Sequence, residues 1–240
     1  MKLRVKTGVA VVAVCSFYFF ANETFGQKCG VDAGFRGSAY SIDRYKNRSL
    51  IKGVRNLNQI PMPARGKLIE HLRSKLGKKF FDRLKYDGGE WTDLEALKRE
   101  SPSDYNRNAP MGAFDLRFTF SDSKKGLKYF YTKLVLDDDG SIREDIGLPD
   151  IGVHPEKARI ISCRRAIEIA AINGFPKKAM SVSFDYSADA DTFVWIVTDS
   201  RGTTPDESLL GLVGQGTYKK IVINANNGEV IRVYKETIIV

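Results

Sequence analysis

The side chains able to do acid–base, metal or nucleophilic chemistry are few and scattered. The chain has two histidines, His71 and His154, and three cysteines, Cys15, Cys29 and Cys163. His71 stands between Glu70 and Leu72, beside the apolar stripe of its expected helix, and reads as a surface residue; His154 precedes Pro155 in a linker. No His-Glu-x-x-His zinc pair, Cys-x-x-Cys pair or Gly-x-Ser-x-Gly elbow occurs. Asp137, Asp138 and Asp139 are consecutive, whereas a calcium loop needs acids at alternate positions and a later glutamate, so a turn is expected. Gly211-Leu212-Val213-Gly214-Gln215-Gly216 lacks the Lys-Ser/Thr ending and the strand-to-helix setting that aim backbone N–H groups at a phosphate. It reads as part of an inserted loop, Arg201 to Gly216, with Arg201, Gly211, Gly214 and Gly216 as candidates for a contact surface. Neither catalysis, nor a bound metal, nor a cofactor is expected.

The compartment shapes the rest. Lys2, Arg4 and Lys6 precede an apolar run from Thr7 to Ala21, 15 residues long and short for a membrane span of about 20. The pattern is that of an export signal over residues 1–26, with cleavage after Gly26; an uncleaved anchor is the alternative. Export implies a periplasmic or secreted protein, with a membrane as partner only if the signal stays attached. Cleavage would remove Lys2, Arg4, Lys6 and Glu23, leaving 35 basic against 28 acidic residues, a balance of +7. An exported chain with scattered charge has no call on nucleic acid, and an anionic envelope surface or polymer is the partner that the basic balance leaves open. Cys29 and Cys163 survive cleavage. In an oxidising compartment they could pair, tying the leader to a core helix, or Cys163 could be a small buried apolar residue with Cys29 free.

Residues 27–60, rich in glycine and basic residues without sustained period, read as a leader or linker. After Pro61-Met62-Pro63, Leu68, Ile69, Leu72 and Leu76 recur at helical spacing up to Gly77, and Phe80, Phe81 and Leu84 form a second cluster ended by Asp87-Gly88-Gly89. Phe114, Leu116, Phe118 and Phe120 alternate with polar residues, the period-two signature of a half-buried strand. Leu127 to Leu136 and Ser141 to Ile146 complete a meander. Leu148-Pro149-Asp150-Ile151-Gly152 punctuates the chain as a boundary. Beyond it, Ser162 can cap a helix over Cys163 to Asn173 whose stripe is Cys163, Ala166, Ile167, Ala170 and Ala171, stopped by Gly174. Four strands follow, at Ser181–Tyr186, Thr192–Thr198, Tyr218–Asn224 and Glu229–Tyr234, and Asn227-Gly228 signals a tight hairpin between the last two. Trp195, inside a nearly continuous apolar run, reads as core.

The succession Ser162, Ala166, Ala170, Gly174, then Trp195 in a strand, then Ile221-Val222-Ile223 with Asn227-Gly228-Glu229-Val230, resembles a PepSY-type domain. The resemblance covers the last third of the chain; Asn224 stands where that family often has an acidic residue, and the Arg201 to Gly216 loop is an insertion. It implies a helix on an antiparallel sheet and a binding or inhibitory module without catalytic residues. Lys133-Leu134-Val135-Leu136 with Asp139-Gly140-Ser141-Ile142-Arg143 echoes Lys220-Ile221-Val222-Ile223 with Asn227 to Arg232. The expected fold is therefore α+β, helices packed on antiparallel sheets, with two PepSY-like units in tandem as one arrangement: residues 61–150 and 151–240. The expected function is binding or regulating an extracytoplasmic protein partner such as a peptidase, with a small ligand or envelope polymer as the alternative.

Overall fold

The computed structural model describes residues 29–34, 40–176, 179–199, 201 and 215–239. The expected signal, residues 1–26, lies outside them. Among the described residues, ten strands and four α-helices follow in chain order: β1 (Val31–Gly34), β2 (Ile51–Val54), α1 (Met62–Phe81), β3 (Lys85–Thr92), α2 (Leu94–Glu100), α3 (Pro102–Asn108), β4 (Phe114–Asp122), β5 (Leu127–Leu136), β6 (Ile142–Glu144), α4 (Cys163–Ile172), β7 (Met180–Ser187), β8 (Thr192–Asp199), β9 (Gln215–Asn224) and β10 (Val230–Ile239). A six-stranded sheet runs β1-β5-β4-β3-β2 with β6 also on β5, and a four-stranded sheet runs β10-β9-β8-β7.

This corrects the expected α+β fold of helices on antiparallel sheets. Strand residues predominate in the described chain, α2 and α3 are only seven residues each, and β1 joins β5 in parallel. Two tandem units are likewise not what forms, since one sheet has six strands and recruits both β1 and β2, and the other is a simple meander. The physical reason lies in the segment read as leader. Val31–Gly34 and Ile51–Val54 are too short and too glycine-rich to show a period, and become strands because β5 and β3 offer unpaired edges.

The two sheets share one core. β1 lies beside β7, so the edge of one sheet meets the edge of the other. Across this seam, the Phe130 ring of β5 stands 5.6 Å from Phe184 of β7 and 5.7 Å from Phe193 of β8. α1 buries Leu68, Leu72, Leu76 and Phe80, and Phe80 touches Phe120 at 5.0 Å and Phe193 at 6.1 Å, one residue from each sheet. At typical values of about 1.5–3 kcal/mol per large apolar side chain, this shared cluster dominates the stability of both halves. Trp195 is fully buried beside Phe184, and its Nε1 donates to the Ile161 carbonyl at 3.1 Å.

The expected boundary at 148–152 is part of that core. Leu148 and Ile151 are buried. Gly77 leaves the helical region in α1 (φ 63°, ψ 156°), freeing carbonyls of the preceding turn, and the Gly152 N–H donates to the Lys75 carbonyl at 2.7 Å. A Cβ on Gly152 would lie 1.8 Å from the Ser74 oxygen, so only glycine approaches this closely. α4 is capped as its sequence requires, the Arg165 N–H donating to Ser162 Oγ at 3.2 Å. The β9–β10 turn differs from the tight hairpin expected: it spans residues 225–229, and of Asn227 and Gly228 only Gly228 takes positive φ.

Candidate functional site

A cleft of about 620 Å³ opens where β2, β3 and β4 meet the loop before β2. Its walls carry Arg44 and Arg48 from that loop, Arg55 just after β2, Arg117 from β4, and Tyr86, Asp87 and Glu90 from β3. Four arginines face two carboxylates, a local excess of two positive charges.

The cleft originates in an irregularity of β3. Tyr86 pairs with Phe118 and Gly88 with Arg117, so Asp87 is an extra residue that bulges from the ladder into the cleft wall. Gly88 carries the bulge at φ +97°, a conformation that side chains rarely adopt, and without a side chain it leaves the space beside the Arg117 guanidinium open. Arg117 is the half-buried polar position in a strand whose other residues up to Phe120 are buried. Its Nε is buried with no hydrogen-bond partner among the described residues. Such a donor is costly to leave unmatched, roughly 1–3 kcal/mol.

The outer arginines are held by a different device. The loop bearing Arg44 and Arg48 is anchored on α3 through the buried Asp104 carboxylate. Oδ2 of Asp104 accepts from Asn47 Nδ2 at 2.6 Å, Ser101 Oγ at 3.3 Å and the Asp43 N–H at 3.4 Å. Asn108 adds a second clamp, accepting from the Ser41 N–H at 2.9 Å. Leu50, Leu97 and Met111, with Tyr40 and Tyr105 against them, form a small separate core beneath the loop. Arg44 pairs with Glu90; that hydrogen bond, and to a smaller degree the charge of Asp115, hold the guanidinium above its ordinary pKa. Burial pushes the Tyr86 phenol up, so it stays protonated and donates to the Val54 carbonyl at 2.9 Å. The arrangement sets four cations and one neutral hydroxyl against two carboxylates, and its positive excess is suited to holding an anion.

The residues singled out in the sequence lie elsewhere. Cys29 and Cys163 are joined by a disulfide across 134 positions, fastening the chain two residues ahead of the seam strand β1 to the first turn of α4. Arg201 is exposed, and its guanidinium forks onto Asp199, Nη2 donating to Oδ2 at 2.9 Å and Nε to Oδ1 at 3.1 Å. Gly216 belongs to β9, opposite Ile238, so the loop is shorter than the sequence suggests. Gly211 and Gly214 lie outside the described residues. The carboxylates of Asp137, Asp138 and Asp139 diverge onto Arg143 Nε at 2.7 Å, Trp91 Nε1 at 3.0 Å and Ser141. His71 meets Asp145 at 2.7 Å at the surface, and His154 lies 3.5 Å from Glu156.

Sequence reasoning did not find the cleft, because its arginines come from three separate stretches. Arg117 carried the one local signal, a long cation at a strand position between buried neighbours. No protein-family model matches the chain, and no curated protein or solved structure is significantly similar to it. The PepSY resemblance therefore rests on the residue pattern of the C-terminal third alone.

Proposed function

We propose that this chain is an extracytoplasmic binding module that takes an anionic ligand, a carboxylate or phosphate group, in the arginine-lined cleft. The observation that carries this reading is the convergence of Arg44, Arg48, Arg55 and Arg117 on one cleft, with the buried Arg117 Nε lacking an acceptor among the described residues. Planar guanidinium groups match both oxygens of such a ligand at once, and a cleft of this volume suits a small molecule or the end of a polymer. The disulfide supports an oxidising compartment, in keeping with the signal-like N-terminus. Among the described residues no helix is long and apolar enough to cross a membrane. A PepSY-like module engaging a protein such as a peptidase is the reading its sequence resemblance favours, but the loop that would serve it lies largely outside the described residues.

The test is a thermal-melt titration with sodium pyrophosphate and with citrate, repeated on Arg117→Gln. A ligand at a hundredfold excess over its Kd contributes about 2.7 kcal/mol, a rise of roughly 5–10 °C for a chain of this size. The rise should vanish in Arg117→Gln and shrink as salt is added. No shift with either anion, or an equal shift in the variant, overturns the reading.

A further inference from the structure

β10 is the outer edge of the four-stranded sheet, ten residues long, with β9 on one side and no strand on the other among the described residues. Such an edge presents a row of N–H and C=O groups ready to accept another strand. Two features make this edge poorly finished. Among the described residues β8 pairs with β9 only from Lys220 to Asn224, whereas β9 and β10 pair as far as Gln215 and Ile239, so their far ends form a two-stranded ribbon there. A ribbon of two strands is marginal in water, and a third stabilises it. The edge also exposes Ile231 and Val233, 40% and 47% accessible.

The sequence of β10 selects the occupant. Arg232, Tyr234 and Glu236 alternate onto one face, where the Arg232 guanidinium lies over the Tyr234 ring at 4.9 Å and Glu236 Oε2 takes Lys220. Arg232 and Glu236 are equidistant from Tyr234. An antiparallel second copy of β10 centred on Tyr234 therefore sets Arg232 of each chain opposite Glu236 of the other, with the two tyrosines as a cross-strand aromatic pair between them. Centring on Lys235 would instead set like charges opposite each other, and centring on Val233 would pair neither charge. We infer that β10 is a homodimer interface in which two copies pair antiparallel about Tyr234, merging two four-stranded sheets into one of eight. The interface has closed two-fold symmetry, so it ends at two chains. It is independent of the cleft.

Light scattering on the purified oxidised chain at about 100 µM, well above a micromolar Kd, should give the mass of two chains. Arg232→Glu should raise the dimer Kd at least tenfold, and Arg232→Glu/Glu236→Arg should restore it, because the swap rebuilds both charge pairs. Tyr234→Cys should yield a dimer on a non-reducing gel that the unsubstituted chain does not show, even if the charge variants fold poorly by circular dichroism. A single-chain mass, or association unmoved by Arg232→Glu together with no Tyr234→Cys cross-link, overturns the proposal.

Discussion

The Asn47 side-chain amide donates to Asp104 Oδ2 at 2.6 Å in a buried contact between the loop before β2 and α3. Asp104 is 57 residues further along the chain and is not part of the cleft wall, yet it fixes the loop from which Arg44 and Arg48 project. Asp104→Ala would remove the acceptor of Ser101 Oγ and the Asp43 N–H and leave Asn47 Nδ2 only the Asp43 carbonyl. The expected cost is about 1–3 kcal/mol, seen as a fall in melting temperature of roughly 2–4 °C per kcal/mol. Pyrophosphate affinity should fall as well, which a purely structural loss elsewhere in the core would not produce. Isothermal calorimetry below the melting range separates the two effects.

Gly88→Ala tests the bulge. An added Cβ would sit 3.6 Å from Arg117 Nη2, an ordinary contact, so crowding contributes little. The cost comes from φ +97°, about 1–2 kcal/mol for a side-chain-bearing residue. Urea denaturation should show the unfolding free energy falling by that amount, as a lower midpoint with an unchanged slope.

Opening the disulfide acts on the unfolded chain. A bond closing 134 positions contributes about 5 kcal/mol in the chain-entropy limit. Cys29→Ser should lower the denaturation free energy by roughly 2–5 kcal/mol, and reductant should do nothing further to the variant. Gly126 lies against both cysteines, and a Cβ added to it would meet the Cβ of Cys163 at 2.9 Å, so Gly126→Ala should disturb the same corner.

Acid sensitivity should trace to Asp145 and Asp191. Burial pushes the Asp145 carboxyl up, but hydrogen bonds from Lys75 and His71 outweigh it and hold the group below its ordinary 3.8. For Asp191 burial also acts upward, and Lys157, Tyr186 and the Asp150 N–H together bring the net shift down. A carboxyl depressed in the folded state contributes stability above its unfolded pKa and loses it as pH falls through the folded value. Both contributions should thus be full at pH 5 and above and fade below about pH 4. Asp145→Asn and Asp191→Asn should flatten the melting-temperature profile in that range while lowering it at neutral pH.

The parts of the fold legible in the sequence are those whose burial follows a simple period. The alternation at Phe114–Phe120 became β4, Leu127–Leu136 became β5 with the same ends, and the stripe of Cys163, Ala166, Ile167 and Ala170 is the buried face of α4. What escaped was set by neighbours. Asp87-Gly88-Gly89 reads as a stop, yet in β3 it is a bulge: Gly89 packs so closely on β4 that a Cβ would meet the Asp115 oxygen at 2.6 Å. Val31–Gly34 has no strand signal of its own, and its pairing depends on β5 nearly a hundred residues away. The cleft inherits both difficulties, since it is built on that bulge and on a loop whose anchor, Asp104, sits in a short helix. Its charges were visible in the composition, but their convergence was not.

The seam also sets the order in which the molecule can be completed. β1 leaves the ribosome first among the strands, but its partner β5 begins at Leu127 and the helix bearing Cys163 comes later still. At about 5–20 residues per second, the 134 positions between the cysteines take roughly 7–27 seconds to synthesise. Until β5 is made the start of the chain has no strand to pair with, and throughout the interval Cys29 lacks the Cys163 thiol. β5, β4 and β3 can zip together from neighbouring segments in the meantime, because their contacts are local. The first strand made is thus locked covalently only when α4 follows, and a chain cut short before α4 would hold its opening segment by the β1–β5 pairing alone.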